Sequence, residues 1–194
     1  RPDRANEGYL DGRNQEKKPF RFHSGNKSHR EFADMAAAKG IMLGRVNITN
    51  SLAPGTKDAS PVPSDSLCYQ QKRILMKDLS PEDTVIIVDD PTYLEEIASW
   101  EGHCENLNMV KIGGELIHYL GVSETAPYTL KNVTRGYWGT KPTAHKANDT
   151  VYKLQVTINY GYEGIIPNLA LQDKIAEYYA DVSHLCGLTL YDFD

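Results

Sequence analysis

Several kinds of protein are excluded by what this sequence does not contain. No stretch of its 194 residues approaches the roughly 18 to 20 consecutive apolar positions a membrane helix needs, and the first residues, 1–14, are polar in character, unlike a signal peptide. Positive charge is nowhere concentrated: 21 Lys and Arg face 26 Asp and Glu, for a net charge of −5, and no basic stripe tracks a phosphate backbone. Nucleic acid is therefore not an expected partner, and no membrane span is expected. Cysteine is scarce and odd in number, Cys68, Cys104 and Cys186 lying far apart, so no disulfide framework follows. His103 and Cys104 are neighbours, but no CxxC or HExxH spacing occurs, and neither a metal nor another cofactor is expected. Glycine-rich phosphate loops, GxSxG elbows, kinase signatures and internal repeats are missing too.

What is present is a chain with 40% hydrophobic residues, enough for one ordinary core or two small ones. Ser28 and Glu31 have the spacing of a capping box, and Phe32, Met35, Ala36 and Lys39 continue at helical intervals. Gly40 supplies a left-handed helix end, and the apolar run 41–48 reads as a buried strand. The same grammar recurs near the C-terminus. Asn168 reads as an N-cap, Leu171, Ile175, Tyr178, Tyr179, Val182 and Leu185 trace one helical face, and Gly187 hands over to a strand at 188–193. Between these αβ units, short segments at 84–88, 110–112, 115–120, 128–130 and 150–156 are rich in Val, Ile, Thr and Tyr. Gly113-Gly114 is a hairpin signal between two of them. The expected organisation is an N-terminal arm and βα part at 1–67, an antiparallel β domain at 68–157, and a returning helix and strand at 158–194. That last strand reads as stopping where a loop should begin, so the sequence is expected to be a segment of something longer.

Asp192 and Asp194 are the most informative pair of candidate residues. At positions i and i+2 of a strand they share a face about 6 to 7 Å apart, within the roughly 5 to 10 Å at which two carboxyl groups divide the work of glycoside hydrolysis. Trp138, beside Tyr137 in Thr134-Arg135-Gly136-Tyr137-Trp138-Gly139-Thr140, is a candidate for stacking on a sugar ring, and His145 reads as a turn histidine.

The block Val110-Lys111-Ile112-Gly113-Gly114-Glu115-Leu116-Ile117-His118-Tyr119, followed by Arg135-Gly136-Tyr137-Trp138-Gly139-Thr140, His145 and Val151, resembles a β module of large, secreted, bacterial glycoside-hydrolase-like proteins. Flanking blocks at 39–44, 60–63 and 171–176, leading to Tyr191-Asp192-Phe193-Asp194, agree in order. The resemblance implies an α/β fold, a partial (β/α) barrel interrupted by a small antiparallel β domain, acting on polysaccharide or glycan in the periplasm or outside the cell. Phe193-Asp194 match the family's Phe-Asp-Gly strand end, which carries the role of an active-site carboxylate to Asp194. Asn47 and Thr49, on the strand expected to end beside it, would bind sugar hydroxyls. Val46 stands where the family has a histidine, a departure that leaves open a non-catalytic, binding-only barrel. Phage-tail proteins carry similar RGxxGT hairpins, so a structural component of a tail-like assembly is a further alternative.

Overall fold

The computed structural model describes residues 29–47, 51–98, 106–157 and 164–193. In chain order the elements are α1 (His29–Ala37), β1 (Gly44–Asn47), β2 (Tyr69–Ile74), β3 (Ile87–Val88), β4 (Met109–Ile112), β5 (Glu115–His118), β6 (Gly121–Val122), β7 (Tyr128–Lys131), β8 (Thr150–Leu154), β9 (Val156–Thr157), β10 (Gly164–Ile165), α2 (Leu169–Cys186) and β11 (Leu190–Phe193). They divide into two compact units, one formed by Arg1–Asn50 with Leu169–Asp194 and the other by Ser51–Asn168.

In the first unit β1 and β11 pair in parallel, Gly44 opposite Leu190 and Asn47 opposite Phe193. Both helices end in the same way. Gly40 and Gly187 take left-handed backbones with φ of 71° and 70°, and the next amide reaches back five residues, Ile41 N to Ala36 O at 3.0 Å and Leu188 N to Ser183 O at 3.0 Å. The buried face of α2 is Leu171, Ile175, Tyr179, Ser183 and Cys186, a stripe at spacings of four and finally three residues whose last members are small or polar, and Leu185 points out. In α1 the buried residues are Ala33 and Ala36, and Phe32 and Met35 are exposed. Small side chains win this face because the end of α2 comes close: a Cβ on Gly187 would lie 3.1 Å from that of Ala33.

The second unit is antiparallel throughout. Its main sheet has the order β2-β8-β4-β5, joined at the β4–β5 hairpin by the tight turn Gly113-Gly114, and a smaller sheet has the order β3-β7-β6. Side chains alternate across a strand, so Val110, Ile112, Ile117 and Val151 project from one face of the main sheet and join Ile86, Val88 and Leu130 in a single apolar cluster. Each such side chain fully removed from water contributes about 1.5–3 kcal/mol.

The expected barrel is not there. The described residues hold two helices and one parallel strand pair, every other pairing is antiparallel, and no sheet closes on itself. A barrel requires each strand to have two neighbours and both faces covered. Among the described residues β1 and β11 have only each other, Leu190 and Tyr191 are half exposed, and Ile41 and Met42, read as buried strand, are exposed and precede β1. The apolar runs that suggested two-sided burial were runs of composition, and no second layer covers them among the described residues. Ser28, the expected capping residue, lies outside the described residues.

Gly187→Ala is expected to destabilise the chain by about 1–2 kcal/mol through the left-handed backbone alone, and further through the approach to Ala33. Gly40→Ala, with the same φ but open space around it, should lose only the backbone part. Urea unfolding of the two variants tests the difference, and equal losses would show that Ala33 does not constrain the helix ends.

Candidate functional site

The turn that carries Trp138 is organised by one carboxylate. Glu115 opens β5 and its side chain is wholly buried. Arg135 Nε donates to its Oε1 at 2.6 Å and Nη2 to its Oε2 at 2.8 Å, a two-pronged ion pair. The backbone amides of Gly136 and Thr143 add bonds of 3.0 and 3.1 Å, and His145 Nε2 lies 2.9 Å from Oε2. Arg135 spends its remaining protons on the carbonyls of Ser80, Asp83 and Thr143. Burial alone would raise the Glu115 carboxyl, but the bonds from Arg135, His145, Thr143 and Gly136 outweigh it and hold the group below the ordinary glutamate value.

The rest of the block follows from this knot. Gly136 has φ of 64°, and a Cβ there would meet Pro142 Cδ at 2.7 Å and Thr140 O at 2.8 Å, so only glycine fits. Buried Thr140 accepts from the Leu116 amide at 3.0 Å and donates its hydroxyl to Tyr137 O at 3.0 Å, which ties the end of the turn back to β5. His145 pairs its backbone with Leu79. Arg135, Gly136, Thr140 and His145 therefore hold a shape. With every lone pair of Glu115 engaged and no exposure, this group is unsuited to act on a substrate.

What the knot displays is a row of flat rings. His118 of β5 stacks on Tyr137 with centroids 4.8 Å apart and planes 25° apart, and Tyr137 stacks on Trp138 at 6.1 Å and 24°. Tyr137 and Trp138 are half-buried within the 3₁₀ turn Tyr137–Gly139. Trp138 itself has φ of 55°, a left-handed backbone that costs a non-glycine residue about 1–2 kcal/mol. A large aromatic held in that conformation by a sealed ion pair is a rigid surface, and its faces suit the C–H face of a sugar ring.

A second buried polar group lies on β8. Lys153 is almost entirely enclosed; its Nζ donates to Asn108 Oδ1 at 2.8 Å and sits 5.2 Å from the centre of the Tyr119 ring, with no carboxylate in ion-pair range among the described residues. Asn108 is fixed in turn, its Nδ2 donating to Glu96 O at 2.7 Å and its Oδ1 also accepting from the Ala98 amide. Burial pushes the Lys153 amine down to about 8, against the opposing pull of Glu96. The buried Tyr119 hydroxyl has no hydrogen-bond partner among the described residues, and burial, with Glu95 and Glu96, pushes its pKa up.

Of the residues singled out from the sequence, Trp138 lies on the ring stack. Asp192 sits in β11 opposite Val46, and Asn47 ends β1 opposite Phe193, so these two positions belong to the same end of one parallel pair. Asp194 and Thr49 lie outside the described residues, as do His103 and Cys104. Among the described residues no three His, Cys, Asp or Glu side chains gather where a metal could bind, and Cys68 and Cys186 are free thiols. Neither the pairing of Glu115 with Arg135 nor the burial of Lys153 is evident from the sequence. The signal available for the first was an acidic residue alone in a strand of apolar ones, 20 positions before an arginine next to a glycine. No protein-family model matches the chain, and no curated protein does.

Glu115→Gln is expected to cost about 3–5 kcal/mol of stability, because it leaves Arg135 buried without its counter-charge. Since the folded carboxyl titrates below its unfolded value, the stability it supplies is complete above the ordinary glutamate pKa and is lost as pH falls through the lowered one. Urea melts between neutral and acid pH measure both effects, and a loss below about 1 kcal/mol would be no more than one ordinary hydrogen bond contributes. Lys153 has the same sense at higher pH, because its pKa is lowered too. Its folded amine titrates near 8, below the unfolded value, so the unfolded chain binds the extra proton and stability should rise from about pH 8 to 10 by on the order of 3 kcal/mol. Thermal melts of Lys153→Met should lack that rise.

Proposed function

We propose that the protein is a carbohydrate-active enzyme of the glycoside-hydrolase type, acting on a polysaccharide or glycan in the periplasm or outside the cell. The observation that carries the glycan reading is the ring stack ending in Trp138, strained in its backbone and fixed by the Glu115–Arg135 ion pair. Rigid aromatic faces bind sugars by covering the apolar side of the ring, and they lose little freedom on doing so. Hydrolysis is assigned to Asp192 and Asp194, as the two carboxyl groups such a reaction divides between acid and nucleophile or base. The parallel pairing of β1 with β11 supports this, because it sets Asn47 at the same end as Asp192, where an amide can hold a sugar hydroxyl.

A second reading is favoured by two observations: the buried carboxylate of Glu115, beside the turn that carries Trp138, is saturated, and β1, which ends at Asn47, carries Val46. On that reading the chain binds glycan without cutting it. Among the described residues no helix is long and apolar enough to cross a membrane.

Incubation with a panel of polysaccharides, followed by assay for new reducing ends, separates the readings. Cleavage is expected, with Asp194→Asn and Asp192→Asn each abolishing it while the fold is retained. Trp138→Ala should weaken glycan affinity about tenfold, or about 1.4 kcal/mol. Binding without new reducing ends would favour the second reading, cleavage that survives Asp194→Asn would remove that residue from the chemistry, and absence of both binding and cleavage would overturn the proposal.

A further inference from the structure

On the outer strand of the main sheet a second aromatic group stands apart from Trp138. Tyr69 and Tyr152 meet edge to face with centroids 5.1 Å apart, and Lys72 Nζ lies 5.1 Å from the Tyr69 ring centre and 5.6 Å from that of Tyr152. Lys111 Nζ lies 5.5 Å from the Tyr152 ring. The strand register accounts for the grouping, since Lys72 and Lys111 are both direct partners of Tyr152, one on each side. β2 is outermost in the order β2-β8-β4-β5, Lys72 is exposed and Tyr69 is 44% exposed.

The two ammonium groups are not equivalent. Lys111 is buried and ion-paired to Asp65 at 2.6 Å. Among the described residues the Lys72 ammonium makes no ion pair and no hydrogen bond, and it lies against the two rings. The phenol groups of Tyr69 and Tyr152 likewise hydrogen-bond to no described residue. Counting Lys72, Lys111 and Asp65, the spot carries one unmatched positive charge on a chain whose net charge is −5. A cation held against aromatic faces has given up part of its hydration and accepts an anion readily. The phenols have hydrogen bonds to offer to hydroxyl groups.

We propose that Tyr69, Lys72 and Tyr152 form a subsite for an anionic sugar residue, so that the glycan handled by this protein is an acidic one. This rests on the glycan reading above and narrows it to a substrate class. The anion lies on Lys72, the ring packs on the exposed Tyr69, and the hydroxyls meet the phenols. One free cation is too few for a nucleic-acid or lipid surface, where affinity depends on many phosphate contacts. A single charged sugar is the scale that fits.

The test is affinity electrophoresis and calorimetry of the full chain with matched polymers: polygalacturonate against its methyl ester for a carboxylate, and dextran sulfate against dextran for a sulfate. At low salt the protein should bind one charged member of a pair at least tenfold more tightly than its neutral partner. Lys72→Gln and Tyr69→Ala should each remove most of that difference, Lys72→Arg should retain it, and Lys131→Gln, an exposed control on another strand, should leave it unchanged. Melting temperatures of the variants check that the fold is kept, and Lys72→Arg serves if Lys72→Gln does not fold. Equal binding of charged and neutral polymers, or a preference untouched by Lys72→Gln, overturns the subsite and leaves the glycan reading standing. A loss shared equally by Lys131→Gln overturns it as general charge attraction. If none of the polymers binds and the neutral panel is refused as well, the glycan reading fails, and the subsite with it.

Discussion

The second unit depends on a carboxylate placed where water cannot reach it. Glu115 is buried at the start of β5, and a buried charge without partners is among the costliest features a small protein can carry. The chain around it is arranged to prevent that. Arg135 arrives with matched geometry, two backbone amides and a histidine add their bonds, and the arginine's remaining protons fasten the loop at Ser80 and Asp83. Four segments distant in sequence are thereby joined at one point. The glycine that lets the turn pass, the threonine that ties it to β5 and the left-handed Trp138 are all intelligible as consequences of closing around that charge.

The other polar groups of the same unit are handled differently, and the contrast separates structure from function. Lys153 is buried against an amide oxygen and an aromatic face, with no ion-pair partner among the described residues, so its burial is relieved by a lowered proton affinity rather than by a counter-ion. Lys111 is buried along its stem and meets Asp65 at the surface. Lys72 is exposed, unpaired and set between two tyrosines. Saturated groups hold the fold, and groups with unused bonding capacity beside exposed rings are where a ligand can act. By that criterion the Trp138 stack and the Tyr69–Lys72–Tyr152 group are two places on this unit suited to recognition.

Local features of the fold were legible in the sequence where a residue type has one physical use. Gly40 and Gly187 announced helix ends, and both adopt the left-handed backbone that closes a helix. Gly113-Gly114 announced a hairpin, and β4 and β5 pair across it. Helical faces were legible to within a residue: the stripe through Leu171, Ile175 and Tyr179 was plain, but its continuation through Ser183 and Cys186 was hidden by their polarity and size, and in α1 the large Phe32 and Met35 drew the eye from the alanines that are buried. The architecture was misread because an apolar run shows that a segment can be buried, not how many neighbours will bury it.

The sequence by itself determined where the chain turns, where its helices stop and which short segments prefer an extended backbone, since each depends on a few adjacent residues and on φ values open to glycine. It also carried the spaced aromatics and acids from which a glycan reading begins. Only the tertiary structure decided that Glu115 and Arg135, 20 positions apart, would meet, that Lys72 and Lys111 would flank Tyr152, and that β1 and β11 would find no other partners among the described residues. Those outcomes depend on desolvation and on strand register, which belong to groups brought together across the chain and have no trace in the spacing of either partner alone.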